Sequence, residues 1–254
     1  SGKSSFAKYF GLGRKKNLII DGIPFQKRLI NRINSLPISQ QLKTLVENYD
    51  PEVFLIDLAT QAISGSTMAS VSEIIYHEVM KWAGYASEEK IALLERKLEL
   101  DGKLDEFKKV VKDEKREEWD VLKIEDRLTA KGIAQDLAPR FYPKIWKDAR
   151  SFNITQISDI ESDREKITNM LSLIKRKTGK ENVLFVIDEV GQYVASDDRL
   201  ITQLQGTMEN IKDIGEGKVW LIATAQQTLT EDNPNARFNS DKLYKLNARF
   251  PIPI

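Results

Sequence analysis

The sequence predicts an α/β protein: a parallel sheet flanked by helices, with a helical insertion. Three observations predict it. Short apolar runs stand at residues 53–58, 183–187 and 219–223, helical periodicities lie between them, and residues 84–150 change to a dense Glu and Lys composition. The expected layout is a core made of 1–83 and 151–254, truncated at both ends, and a charged helical insertion at 84–150.

Each element has a local cause. Residues 3–10 can start a helix with Phe6 and Phe10 on its apolar side, and Gly11 and Gly13 can end it. Residues 25–36 and 39–48 read as two amphipathic helices separated by Pro37, with Ser39 as N-cap of the second. Val53-Phe54-Leu55-Ile56-Asp57-Leu58 follows the Asp50-Pro51 turn and has the continuous apolar character of a strand buried on both faces. Val71, Ile74, Ile75, Val79 and Trp82 recur at helical spacing over 72–82.

Within the insertion, Ile91, Leu94 and Leu98 and then Leu104, Phe107 and Val111 form two periodic segments broken at Asp101-Gly102, which predicts a helical hairpin or small bundle. Ile133, Leu137, Phe141 and Ile145 predict a further helix before Arg150. The charged faces of these helices read as solvated, with partner binding as the alternative. A crossover helix over 161–177 stops at Gly179, and Val183-Leu184-Phe185-Val186-Ile187 is the strongest buried-strand signal in the chain. Leu200, Leu204, Met208 and Ile211 mark the next helix, which ends near Gly215, and Val219-Trp220-Leu221-Ile222-Ala223 is a third strand.

Composition narrows the function classes. The 39 Lys and Arg nearly cancel the 38 Asp and Glu, so no global field attracts nucleic acid or an anionic membrane, and any DNA contact is local or made through other regions or partners. The chain has no cysteine, no apolar run long enough to span a bilayer and no signal-peptide pattern, which fits a cytoplasmic protein without a membrane partner. His77 is the only histidine, which argues against a zinc site.

Gly2-Lys3-Ser4 matches the last three positions of the phosphate-binding pattern G-x-x-x-x-G-K-[ST]. In that pattern backbone N–H groups cradle phosphates, the lysine reaches the β and γ oxygens, and the hydroxyl helps hold Mg2+. The absence of an initiator Met and the apolar ending at 250–254 mark the chain, as a sequence, as a piece of something larger. Asp188-Glu189 follows the strongest strand, placing two carboxylates at its carboxyl end, where α/β proteins bind ligands. This is the Walker B arrangement: Asp188 would hold hydrated Mg2+ together with Ser4, and Glu189 would orient or deprotonate the attacking water.

The 219–223 strand runs into Thr224-Ala225-Gln226, where Thr224 or Gln226 could bond a γ-phosphate or the water, as sensor 1 does in AAA-like ATPases. Arg249, after a helix near 240–246, stands where such proteins present an arginine finger to a neighbouring subunit; Arg237 is a second candidate. The candidate site is therefore Glu189, Thr224 and Arg249 for catalysis, Gly2, Lys3, Ser4 and Ser5 for ATP, and Ser4 with Asp188 for Mg2+.

Residues 2–10 (Gly-Lys-Ser-Ser-Phe-Ala-Lys-Tyr-Phe), 186–193 (Val-Ile-Asp-Glu-Val-Gly-Gln-Tyr) and 221–229 (Leu-Ile-Ala-Thr-Ala-Gln-Gln-Thr-Leu) resemble the large P-loop ATPase component of bacteriophage exclusion (BREX) systems, to which phage-growth-limitation ATPases are related. The resemblance implies an AAA-like P-loop NTPase fold, Mg-ATP hydrolysis, a role in antiviral defence, and work beside other defence-system proteins as a homo-oligomer. The departures are the upstream glycine of the loop and the C-terminal helical lid. Two other readings compete with the hydrolase: a nucleotide-gated scaffold that recruits partners through 84–150, and a small-substrate kinase, which Glu189 beside Asp188 disfavours because it points to water as the acceptor.

Overall fold

The computed structural model describes residues 2–59, 69–154, 161–195 and 197–224. In chain order these form α1 (Gly2–Gly13), β1 (Ile19–Ile20), β2 (Ile23–Pro24), α2 (Phe25–Arg32), α3 (Leu36–Asn48), β3 (Glu52–Asp57), α4 (Val71–Trp82), α5 (Glu89–Leu100), α6 (Leu104–Lys115), α7 (Trp119–Glu125), α8 (Arg127–Phe141), α9 (Ala149–Ile154), α10 (Asp163–Thr178), β4 (Val183–Asp188), α11 (Val190–Ala195), α12 (Asp198–Gly215) and β5 (Val219–Ala223). The result is a mixed α/β protein, mostly helical, with a three-stranded parallel sheet in the order β3-β4-β5. No helix among the described residues is long and apolar enough to cross a membrane.

The chain divides into two compact units, one of residues 1–75 with 167–254 and the other of 76–166. The second unit is wider than the 84–150 insertion expected from composition. Its core draws in Phe152, so apolar packing continues past residue 150.

In the first unit β4 is buried along all six residues, as a strand covered on both faces should be. Register pairs Val53 with Leu184 and Trp220, and Phe54 with Phe185 and Leu221, so side chains alternate between faces in step across the sheet. On one face α1 packs Ala7 and Phe10 against Val53, Leu184, Val186 and Ile222. On the other, Phe54 and Phe185 stack with ring centroids 5.4 Å apart.

Gly11 lies inside α1 and does not end it, because the helix comes too close to the sheet there for a side chain. A Cβ on Gly11 would stand 2.7 Å from Leu55 Cδ2 and 3.0 Å from Val186 Cγ2. Leu55 is partly exposed and can rotate away, but Val186 is buried and branched at Cβ. Gly11→Val is expected to cost about 1–3 kcal/mol in denaturant unfolding, and Gly11→Ala distinctly less, since the larger side chain cannot avoid Val186. Past Gly13, the buried Arg14 guanidinium donates to the carbonyls of Leu45, at 2.7 Å, and Tyr49. It thereby ties the end of α1 to the carboxyl end of α3, the end that favours a cation.

Several boundaries differ from the sequence expectation: α2, for one, ends at Arg32 and not at 36. Helix α3 begins at Leu36 with Ser35 at the cap position and Pro37 in the first turn, where proline's missing N–H costs nothing; Ser39 donates its hydroxyl to the Leu36 carbonyl instead. Helix α8 stops at Phe141, short of Ile145, because Pro143 disfavours helical geometry at Tyr142.

The 76–166 unit has its own core, with Phe107, Trp119, Trp146 and Phe152 fully buried. Phe107 meets Trp119 edge-on at 4.9 Å. Not all of its charge is solvated. Glu95, 1% exposed, accepts from the Ala86 N–H at 2.6 Å, the Trp119 indole at 2.7 Å and Lys123 Nζ at 2.9 Å. A second buried pair joins Arg96 to Glu161, which also accepts from the Tyr76 hydroxyl at 3.1 Å. His77 Nε2 bonds the Ser87 carbonyl oxygen, a structural contact within this unit.

Candidate functional site at the carboxyl edge of the sheet

Asp57 and Asp188 are register partners at the carboxyl ends of β3 and β4, so their carboxylates emerge side by side. The amino end of α1 lies over the same edge. Ser4, in the first turn of α1, hydrogen-bonds Asp188, and Lys8, one turn on and on the same helix face, ion-pairs with Asp188 Oδ2 at 2.9 Å and Asp57 Oδ2 at 3.4 Å. Ser4, Ala7, Lys8, Asp57 and Asp188 line a small cavity together with apolar atoms of β3 and β4.

Thr224, just past β5, organises the other side. Its N–H donates to the Ile187 carbonyl at 3.0 Å and its carbonyl accepts from the Val190 N–H at 3.0 Å. Its hydroxyl donates to Asp188 Oδ1 and accepts from the Glu189 N–H, the latter at 3.1 Å. The sequence makes Thr224 a candidate for reaching a phosphate or water directly. In the structure its one hydroxyl proton goes to Asp188, so Thr224 acts through Asp188 and the Glu189 backbone. Thr224→Val leaves a buried carboxylate oxygen and an N–H without this partner. It is expected to lower the unfolding free energy by about 1–3 kcal/mol, read as a shift in denaturant midpoint, with Thr224→Ser recovering most of it.

Glu189 turns the chain from β4 into α11 with a φ of 62°, a left-handed conformation rare for a side chain other than glycine. The turn is held by Thr224 before it and by the Tyr193 N–H, which donates to the Glu189 carbonyl at 3.1 Å. Such a costly conformation, retained next to a carboxylate at a strand end, is the kind that accompanies functional sites. Tyr193 fixes the neighbourhood further by donating its hydroxyl to the Ala69 carbonyl at 2.7 Å.

Burial by itself would raise the Asp188 carboxyl. The hydrogen bonds from Thr224, Lys8 and Ser4 outweigh it and hold the group below the ordinary aspartate value, so it is ionised at neutral pH. The same hydrogen bond to Asp188 raises the Lys8 ammonium against partial desolvation.

The structure thus brings together Ser4, Asp188 and Thr224 from the sequence-predicted set, with the Glu189 backbone held beside them and Gly2 and Ser5 exposed at the start of α1. The side chain of Lys3, and Gln226, Arg237 and Arg249 with the helix near 240–246, lie outside the described residues. Lys8 and Asp57 are additions. Both carried a signal: Lys8 falls four residues after Ser4, hence on the same helix face, and Asp57 closes its apolar run as Asp188 closes the other.

No protein-family model matches the chain, and no solved structure matches it. What the site can do follows from its own donors and charges. A serine hydroxyl and an ionised carboxylate are hard oxygen ligands suited to Mg2+, and the Lys8 ammonium on the same carboxylate shows that the position accommodates a cation. Among the described residues no three His, Cys, Asp or Glu side chains gather as a metal cage. Ser4 and Asp188 would supply two protein oxygens, the kind of set with which Mg2+ keeps phosphates and water as its other ligands. The amino end of α1 carries the positive end of the helix dipole, which suits phosphate.

Proposed function

We propose that the chain is the ATP-binding and hydrolysing core of a P-loop, AAA-like ATPase of the BREX anti-phage type, using Mg-ATP turnover to assemble or remodel a defence complex. The observation that carries the reading is the meeting of Ser4, from the Gly-Lys-Ser tripeptide, with Asp188 at the carboxyl edge of a parallel sheet. The antiviral role and its partners come from the sequence resemblance.

In this reading the first N–H groups of α1 cradle the phosphates, and Lys3 reaches their terminal oxygens. Ser4 and Asp188 would hold Mg2+. Bound there, Mg2+ would neutralise negative charge on the phosphate oxygens. Glu189, set at the edge by its left-handed turn, orients the attacking water and takes its proton. Thr224 keeps Asp188 and the Glu189 backbone in place, and Arg249 of a neighbouring copy would supply positive charge to the transition state.

The test is steady-state ATP hydrolysis by a protein carrying a complete phosphate-binding loop, compared with its Lys3→Ala and Glu189→Gln variants. Turnover in wild type, weak binding by Lys3→Ala, and tight binding without turnover by Glu189→Gln support the hydrolase. Equal ATP binding by all three with no hydrolysis above background refutes it and leaves a nucleotide-gated scaffold.

A further inference from the structure

We infer that Lys8 is a built-in counter-ion for the Asp57–Asp188 carboxylate pair, that a divalent cation must displace it from Asp188, and that Asp57 receives the displaced ammonium. The inference rests on the proposed Mg2+ role of Ser4 and Asp188.

Register places the two carboxylates on adjacent parallel strands, whose backbones run about 4.8 Å apart, where like charges repel. Lys8 offsets one of the two charges, and it lies closer to the buried Asp188, at 2.9 Å, than to the partly exposed Asp57, at 3.4 Å. Asp188 then has three partners: Thr224 on Oδ1, Lys8 on Oδ2, and the Ser4 hydroxyl. A Mg2+ ion binds a carboxylate oxygen at about 2.1 Å, which would bring it within roughly 4 Å of an ammonium left on Oδ2, a repulsive contact. Thr224 is fixed by its backbone bonds on both sides, and Ser4 is wanted as a ligand. Lys8 is the partner that can leave. Its side chain is 44% exposed, and its four-carbon stem can swing the charge onto Asp57 without losing its ion pair.

Two consequences differ in sign. Removing Lys8 removes the competitor, so the site takes a divalent cation more tightly. Removing Asp57 takes away the ammonium's second partner, so Lys8 holds Asp188 harder and the cation binds more weakly.

The experiment is a Mn2+ titration of the nucleotide-free chain, followed by electron paramagnetic resonance of free Mn2+, with thermal melting as a check on folding. Lys8→Met is expected to bind Mn2+ at least about fivefold tighter than wild type, Lys8→Arg to stay near wild type, and Asp57→Asn to bind about threefold weaker. In the Lys8→Met background Asp57→Asn should matter less, because only the direct attraction of Asp57 for the metal remains. Lys8→Gln, which removes the charge and keeps a donor, answers the same question if Lys8→Met does not fold. Unchanged or weaker Mn2+ binding on loss of the Lys8 charge, strict additivity of the two substitutions, or no Mn2+ binding by any form at millimolar metal overturns the inference. Because Mn2+ binding needs no turnover, the two readings fail separately. The expected Mn2+ shifts without ATP hydrolysis remove only the hydrolase; hydrolysis without the shifts removes only the displacement of Lys8.

Discussion

Glu189→Gln is expected to lower ATP turnover by about two to three orders of magnitude while leaving ATP affinity close to that of wild type, the range associated with loss of a positioned general base. The amide is isosteric with the carboxylate, so the left-handed turn and its bonds to Thr224 and Tyr193 stay in place, and only the proton-accepting charge is lost. Single-turnover hydrolysis with a separate binding titration distinguishes this from a loss of nucleotide affinity. A fall in affinity equal to the fall in turnover would instead make Glu189 a binding group.

The largest expected effect on stability lies in the other unit. Glu95→Ala is expected to cost about 3–5 kcal/mol, because it strands the Lys123 ammonium, the Trp119 indole N–H and the Ala86 N–H, all of which Glu95 accepts in a buried setting. Lys123 keeps the Gly84 carbonyl at 2.6 Å and Asp120 at 3.0 Å, which limits the loss but does not replace a buried counter-charge. Denaturant unfolding followed by tryptophan fluorescence measures it. Glu95→Gln keeps acceptor oxygen for the indole and should fall between the two. A cost below about 1 kcal/mol for Glu95→Ala would mean that water reaches Lys123.

The strands were legible because burial on both faces leaves continuous apolar runs, and the fully buried β4 gave the clearest one. The long helices were legible from apolar spacing, as in α12 with Leu200, Leu204 and Ile211 all buried. Short elements were not. The β1–β2 hairpin has strands of two residues, too short to show alternation, although Asp21-Gly22, both at positive φ, is a hairpin dipeptide. Buried charge was also hidden: Glu95 and Lys123 sit among many surface Glu and Lys, and only tertiary packing shows which carboxylate faces a tryptophan. In the site, Ser4, Asp188 and Glu189 were readable as motif positions. The pairing of Asp57 with Asp188 depends on strand register, which the sequence does not state, and the engagement of Thr224 with Asp188 depends on β5 lying beside β4.

The most direct measurement of the central claim is nucleotide binding with and without Mg2+, using a fluorescent ATP analogue on wild type, Ser4→Ala and Asp188→Asn proteins with a complete phosphate-binding loop. If Ser4 and Asp188 hold the metal of a nucleotide site, Mg2+ strengthens binding to wild type by at least about tenfold and has little effect on either variant. Binding that responds equally to Mg2+ in all three proteins, or no binding to wild type, would contradict the account.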